Sequence, residues 1–93
     1  MFGVSDSCKT ELEAIQAVLL HEIGHHIGMS SPSLATQALE KGAPISQYAR
    51  VDGNEYFAES YAMYRIDRVF LKQHDPVGHS MVQEVLQLQG IKI

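Results

Sequence analysis

Five residues carry the strongest chemical signal in the chain: His21-Glu22-Ile23-Gly24-His25. They read H-E-x-x-H inside an apolar run. On a helix, residues four apart share a face and stand about one turn from each other. Both imidazoles then reach a single metal ion. Glu22, beside the first ligand, points toward the open side of that metal. Two His ligands with a neighbouring carboxylate as general base suit metal-assisted hydrolysis of a peptide bond, with Zn2+ as the expected ion. Two ligands leave the site incomplete, so a third must come from elsewhere in the chain.

Several positions offer one. In the pattern H-E-x-x-H-x-x-G-x-x-H the glycine falls on Gly28, but the last histidine position is Ser31, so that pattern breaks. His26 is adjacent to His25 and turned about 100° away on a helix. His74 and His79 flank Asp75-Pro76 and are expected to face solvent. Glu55 and Glu59 remain, four apart and stacked on one face of a later helix. A carboxylate from a second helix is a common way to complete a His-His-Glu zinc site.

The elements that must position these groups read as helices. Thr10 with Glu13 forms a capping box, and Asp6 or Ser7 offers a start one turn earlier. Leu12, Ile15, Leu19, Ile23 and Ile27 recur at helical spacing and predict one apolar stripe. Ala14, Val18, His21 and His25 form a second stripe, whose small residues leave space for metal and substrate. Gly28 suits the position just past this helix. Ser31-Pro32 begins a short second helix with Leu34, Ala35, Ala38 and Leu39 on its apolar face, ended by Gly42. Residues 45–51 read as extended or irregular and carry Tyr48. Asp52 with Glu55 predicts the cap of a third helix running to about Gln73, with Ala58, Ala62, Ile66 and Val69 inward, widened by Phe57, Tyr61 and Phe70. Asp75-Pro76 begins a last helix with Val77, Met81, Val85 and Leu88 as its stripe, and Gly90 ends it. Tyr56, Tyr61 and Tyr64 are expected to pack, Met63 and Met81 to fill the core, and Glu40, Asp67 and Glu84 to be solvated.

Composition narrows the function classes. A chain of 93 residues that is 45% apolar suits one small domain over residues 1–93. Its net charge of -4, with no basic run, argues against a nucleic-acid partner. The longest apolar run, Ala17 to Leu20, is far too short to span a membrane. A single cysteine, Cys8, excludes an intrachain disulfide. The first seven residues show neither a positive n-region nor an apolar h-region, so no signal peptide is expected. A cytoplasmic or mobile-element-associated setting is favoured. Oligomeric state is left open.

The segment Ser46-Gln47-Tyr48-Ala49-Arg50-Val51-Asp52-Gly53-Asn54-Glu55-Tyr56-Phe57-Ala58-Glu59 resembles the stretch that follows the H-E-x-x-H helix in lethal-factor-like zinc metallopeptidases. Those gluzincins include the anthrax lethal factor catalytic domain and the Pro-Pro endopeptidases. The shared pattern is a tyrosine, a glutamate seven residues on, then F-A-E. The resemblance covers roughly residues 11–88. It implies that His21, His25 and Glu55 bind Zn2+, that Glu22 is the general base and that Tyr48 donates to the oxyanion. It also implies that Glu59 orients a ligand histidine, a role that the usual carboxylate partner of a ligating imidazole supports. The implied activity is a zinc endopeptidase acting on a peptide or protein substrate through a zinc-bound water. The family's upstream substrate-binding sheet has no obvious counterpart. The expected fold is therefore mainly α, a zincin-like core of about four helices, either minimal or the catalytic half of a larger domain. Anti-repressor metallopeptidases of mobile elements share the first motif but lack the tyrosine. A zinc-stabilised binding module without catalysis is the other reading, and the intact Glu22 speaks against it.

Overall fold

Side-chain caps fix where three of the helices begin. The computed structural model describes Gly3 and residues 9–91. The Glu13 N–H donates to Thr10 Oγ1 at 3.1 Å and opens α1, Glu11–Gly28. The Glu13 carboxylate in turn accepts from the Lys9 N–H at 3.2 Å, one residue before the position a strict capping box would use. Helix α2, Pro32–Lys41, starts at a proline in its first turn with no side-chain cap bond from Ser31. The Glu55 N–H donates to Asp52 at 2.8 Å and opens α3, Gly53–His74. The Gly78 N–H donates to Asp75 at 3.1 Å and opens α4, Pro76–Leu88. Gly90 follows with a φ of 72°, a left-handed conformation that suits glycine. The expected irregular stretch holds a single 3₁₀ turn, Tyr48–Arg50. The chain is thus mainly α, with four helices and no strand among the described residues. Cys8 and the alternative helix starts Asp6 and Ser7 lie outside those residues.

Helix α3 is the centre of the molecule. Every residue from Tyr56 to Tyr64 is buried, as in a helix covered on all sides. The other elements wrap around it. Ala35 of α2, Ala49 of the 3₁₀ turn, and Met81, Val82, Val85 and Leu86 of α4 complete the core. The packing roles expected for the three tyrosines and for Met63 and Met81 hold.

Helix α1 packs differently from its hydrophobic periodicity. Of the expected stripe only Ile27 packs partly against the core, while Leu12, Ile15, Leu19 and Ile23 face outward, with Leu12 66% and Leu19 58% exposed. Its buried positions are instead Ala17, Gly24 and Gly28. The reason is distance. A Cβ on Gly24 would lie 2.9 Å from the Ala58 Cα, and one on Gly28 would lie 2.7 Å from the Phe57 ring. Only a face of small residues lets α1 come this close to α3 (larger side chains would hold the two backbones apart).

Three further departures have local causes. Val69 and Phe70 are exposed because α3 leaves helical geometry at Asp67, with φ −154° and ψ 83°, and Ile66, just before the break, is exposed as well. The Phe70 N–H donates to Asp67 Oδ1 at 3.1 Å, restarting the helix out of phase with the earlier stripe. In α4, Leu88 is exposed and Val82 is buried, so the core face includes Val82 rather than Leu88. His79 is buried at 7% exposure instead of facing solvent, with its ring 5.3 Å from that of Tyr64. Burial, then the charges of Lys72 and Arg68, hold the His79 pKa below its ordinary 6.5. Gly28 is the last residue of α1 rather than the one after it, and the Gln89 side-chain amide donates to the Ile27 carbonyl near that end. No helix of the described residues is long and apolar enough to cross a membrane.

Candidate metal centre

The Gly24–Ala58 approach brings one face of α1 against the first two turns of α3. His21 and His25 come from α1, and Glu55 and Glu59 come from α3. His25 Nε2 lies 2.7 Å from Glu55 Oε1, and His21 Nε2 lies 3.4 Å from Glu55 Oε2. The two histidine Nε2 atoms are 3.0 Å apart. One atom from each of His21, His25 and Glu55 falls within 4.8 Å of the others, which is the geometry of a three-residue metal cradle. Glu55 sits in the first turn of α3, where the helix dipole favours a negative charge.

Glu59 takes no part in that cradle. It is 2% exposed, and a carboxylate so buried must be hydrogen-bonded. His21 Nδ1 lies 2.8 Å from Glu59 Oε2. A carboxylate oxygen accepts, so Nδ1 donates, and in the neutral imidazole the Nε2 lone pair is left facing the cradle. The hydrogen bond to Glu59 raises the His21 pKa above 6.5, aided by the charges of Glu59, Glu55 and Glu22 and opposed by burial. The other Glu59 oxygen, Oε1, accepts from the Ser46 hydroxyl at 2.8 Å.

The donor set could hold a metal ion. Ligand atoms around a tetrahedral zinc with bonds of about 2.0–2.1 Å stand roughly 3.3 Å apart. The two Nε2 atoms here are 3.0 Å apart, and each has one of the two Glu55 oxygens within 3.4 Å, Oε1 for His25 and Oε2 for His21. Two imidazole nitrogens and a carboxylate oxygen so close, with one imidazole lone pair aimed inward, need a shared cation or a shared proton between them. Three protein ligands would leave a fourth position of a four-coordinate ion for water or substrate.

A cleft of about 350 Å³ opens over the cradle. Glu22 and Tyr48 line it, together with Ala17 and Val18 of α1. Both Glu22 and Tyr48 are exposed. All six residues expected at the site, His21, Glu22, His25, Tyr48, Glu55 and Glu59, thus border one cleft. His26 and His74 are exposed and lie outside it. Two residues were not legible in the sequence: Gly3, which lines the cleft, and Ser46, which lies behind Glu59. Ser46 heads the tyrosine segment, but a loop serine gives no sign of which carboxylate it will meet. Gly3 lies where a Cβ would come 2.7 Å from the Tyr48 ring and 2.9 Å from Glu59 Oε1. In comparisons with known proteins, the chain matches no family model, no curated protein and no solved structure.

Proposed function

We propose that this protein is a zinc-dependent endopeptidase of the lethal-factor-like type. The observation that carries the reading is the convergence of His21, His25 and Glu55 on one point, at a cleft that Glu22 also lines. His21, His25 and Glu55 would hold the ion. Zinc bound there would supply Lewis acidity, polarising a carbonyl and bringing the pKa of water down to about 7. Glu22 takes the proton from the attacking water and returns it to the leaving amine. The Tyr48 hydroxyl donates a hydrogen bond to the developing oxyanion. Glu59 holds His21 in the tautomer that turns Nε2 inward. The substrate is a peptide or protein chain laid across the cleft.

The test pairs a zinc titration with cleavage of a peptide library. Wild type is expected to bind zinc and cleave. Glu22→Ala should keep zinc and lose about 10²–10⁴-fold in turnover, the usual contribution of a general base. His21→Ala and Glu55→Ala should lose zinc. Cleavage by Glu22→Ala at the wild-type rate would sink the mechanism, and full zinc affinity in Glu55→Ala would sink the ligand set.

A second reading is a zinc-stabilised binding module. The outward stripe of Leu12, Ile15, Leu19 and Ile23 favours it, because contiguous exposed apolar surface marks interaction sites. Zinc bound without cleavage by either wild type or Glu22→Ala would select this reading.

A further inference from the structure

Ser46 stands between two parts of the site that come from different elements. It is buried, in the connection between α2 and the 3₁₀ turn. Its hydroxyl donates to Glu59 Oε1 at 2.8 Å. Ser46 Oγ in turn accepts from the Ala49 N–H at 3.2 Å, inside the Tyr48–Arg50 turn. One side chain therefore touches both the carboxylate that orients His21 and the backbone of the turn that carries Tyr48. A hydroxyl supplies one donor and two acceptor positions, and here the donor and one acceptor are used in these two directions. Glu59 is gripped from both sides: His21 Nδ1 on one oxygen and Ser46 Oγ on the other. Without the Ser46 bond the carboxylate loses one of the donors that fix its last torsion, which is broad for a terminal sp³–sp² bond.

We propose that Ser46 is a positioning residue of this site: its hydroxyl locks the Glu59 carboxylate against His21 and caps the turn that presents Tyr48 to the cleft. The role rests on the reading of His21 as a metal ligand and adds to it a residue from outside both motifs. Ser46 acts through Glu59 and the turn, not on the substrate.

The experiment is a double-mutant cycle read in two ways. In the metal-free protein, the His21 Nδ1–H proton is followed by NMR on ¹⁵N-labelled histidine. It should be protected in wild type and in Ser46→Thr, which keeps the hydroxyl, and lost to exchange in Ser46→Ala. In the second arm, zinc affinity is measured by chelator competition. Ser46→Ala should weaken it about tenfold, the lower end for loss of a partner that orients a ligand. The same change made in a Glu59→Ala background should add almost nothing, since the residue through which it acts is gone. Circular dichroism checks that each variant is folded. A protected His21 proton in folded Ser46→Ala overturns the proposal, as does an equal loss of affinity in both backgrounds. If wild type binds no zinc, the endopeptidase reading fails, while the proton signal still decides the role of Ser46.

Discussion

Glu59 and Tyr48 differ in how much of the fold holds them, and their substitutions should differ accordingly. Glu59 is sealed beneath His21 and Ser46, so changing it disturbs a buried network. Tyr48 lies on a short turn, half exposed at the lip of the cleft. Removing its hydroxyl takes away little packing. Tyr48→Phe should therefore leave zinc affinity and unfolding midpoint unchanged while lowering kcat by about 10²–10³-fold, the usual cost of one oxyanion donor. Steady-state kinetics on any peptide that wild type cleaves would measure this. An unchanged kcat would remove Tyr48 from the mechanism and leave it as a wall of the cleft. At this scale the sequence was most informative. Spacing alone put His21 and His25 on one helical face, and Glu55 and Glu59 on another. It did not reveal Ser46, because that contact spans thirteen residues and depends on where the intervening turn falls.

Among the elements, the close approach of α1 and α3 sets the candidate metal site, and Gly24 permits it. The same glycine lies inside the H-E-x-x-H motif, where it reads only as the spacer before the second ligand. Helix existence and starts were legible, since Thr10, Asp52 and Asp75 all cap as their sequence signals indicate. The packing face of α1 was not. Periodicity finds the most apolar face, whereas close helix packing here selects the smallest one. Gly24→Ala separates these effects. Alanine favours the helix by about 1 kcal/mol. Against this, its Cβ would meet the Ala58 backbone at 2.9 Å, and backbone does not give way as a flexible side chain does. Overpacking of this kind costs about 1–3 kcal/mol. The expected net result is a lower urea midpoint and weaker zinc binding, since His21 and His25 move away from Glu55 with the helix. Leu19→Ala, on the exposed stripe of α1, should change stability by less than about 0.5 kcal/mol. If the glycine variant is as stable as wild type and binds zinc as tightly, close packing is not what places the ligands.

At the scale of the whole molecule, one buried carboxylate joins three pieces that lie apart in the chain. Asp75 Oδ2 accepts from the Tyr56 hydroxyl at 2.7 Å. Asp75 Oδ1 accepts from the Ala43 N–H at 3.0 Å and from the Gly78 N–H at 3.1 Å. The α2–α3 connection, α3 and α4 are thereby tied at a single residue. Burial, reinforced by this carboxylate, pushes the Tyr56 phenol far above its ordinary range and keeps it a donor. The Asp75-Pro76 helix start was legible as a local signal, whereas its partners 19 and 32 residues away were not. Asp75→Ala would strand the Tyr56 phenol and the Gly78 N–H in a buried site, at about 1–3 kcal/mol for each buried group left unpaired, while the part-buried Ala43 N–H can turn to water. Some relaxation is expected, so a loss of about 3–5 kcal/mol is the anticipated total, a large share of the 5–15 kcal/mol typical of a domain. Asp75→Asn keeps one acceptor oxygen for the backbone and should lose about 1 kcal/mol. The candidate metal centre offers a check on the same scale, if zinc binds there as proposed. The unfolded chain has no cradle, so zinc at a hundred times its dissociation constant should add about 2.7 kcal/mol to any variant that keeps the site. Urea unfolding of wild type and Asp75→Ala, each with and without zinc, would then give two separations. The gap between the proteins reads the Asp75 junction, and the gap made by zinc reads the cradle. Equal midpoints for the two proteins would mean that Asp75 is a local cap only. A zinc shift in wild type that disappears in Asp75→Ala would mean that the junction also holds α1 against α3, joining the two halves of the structure into one cooperative unit.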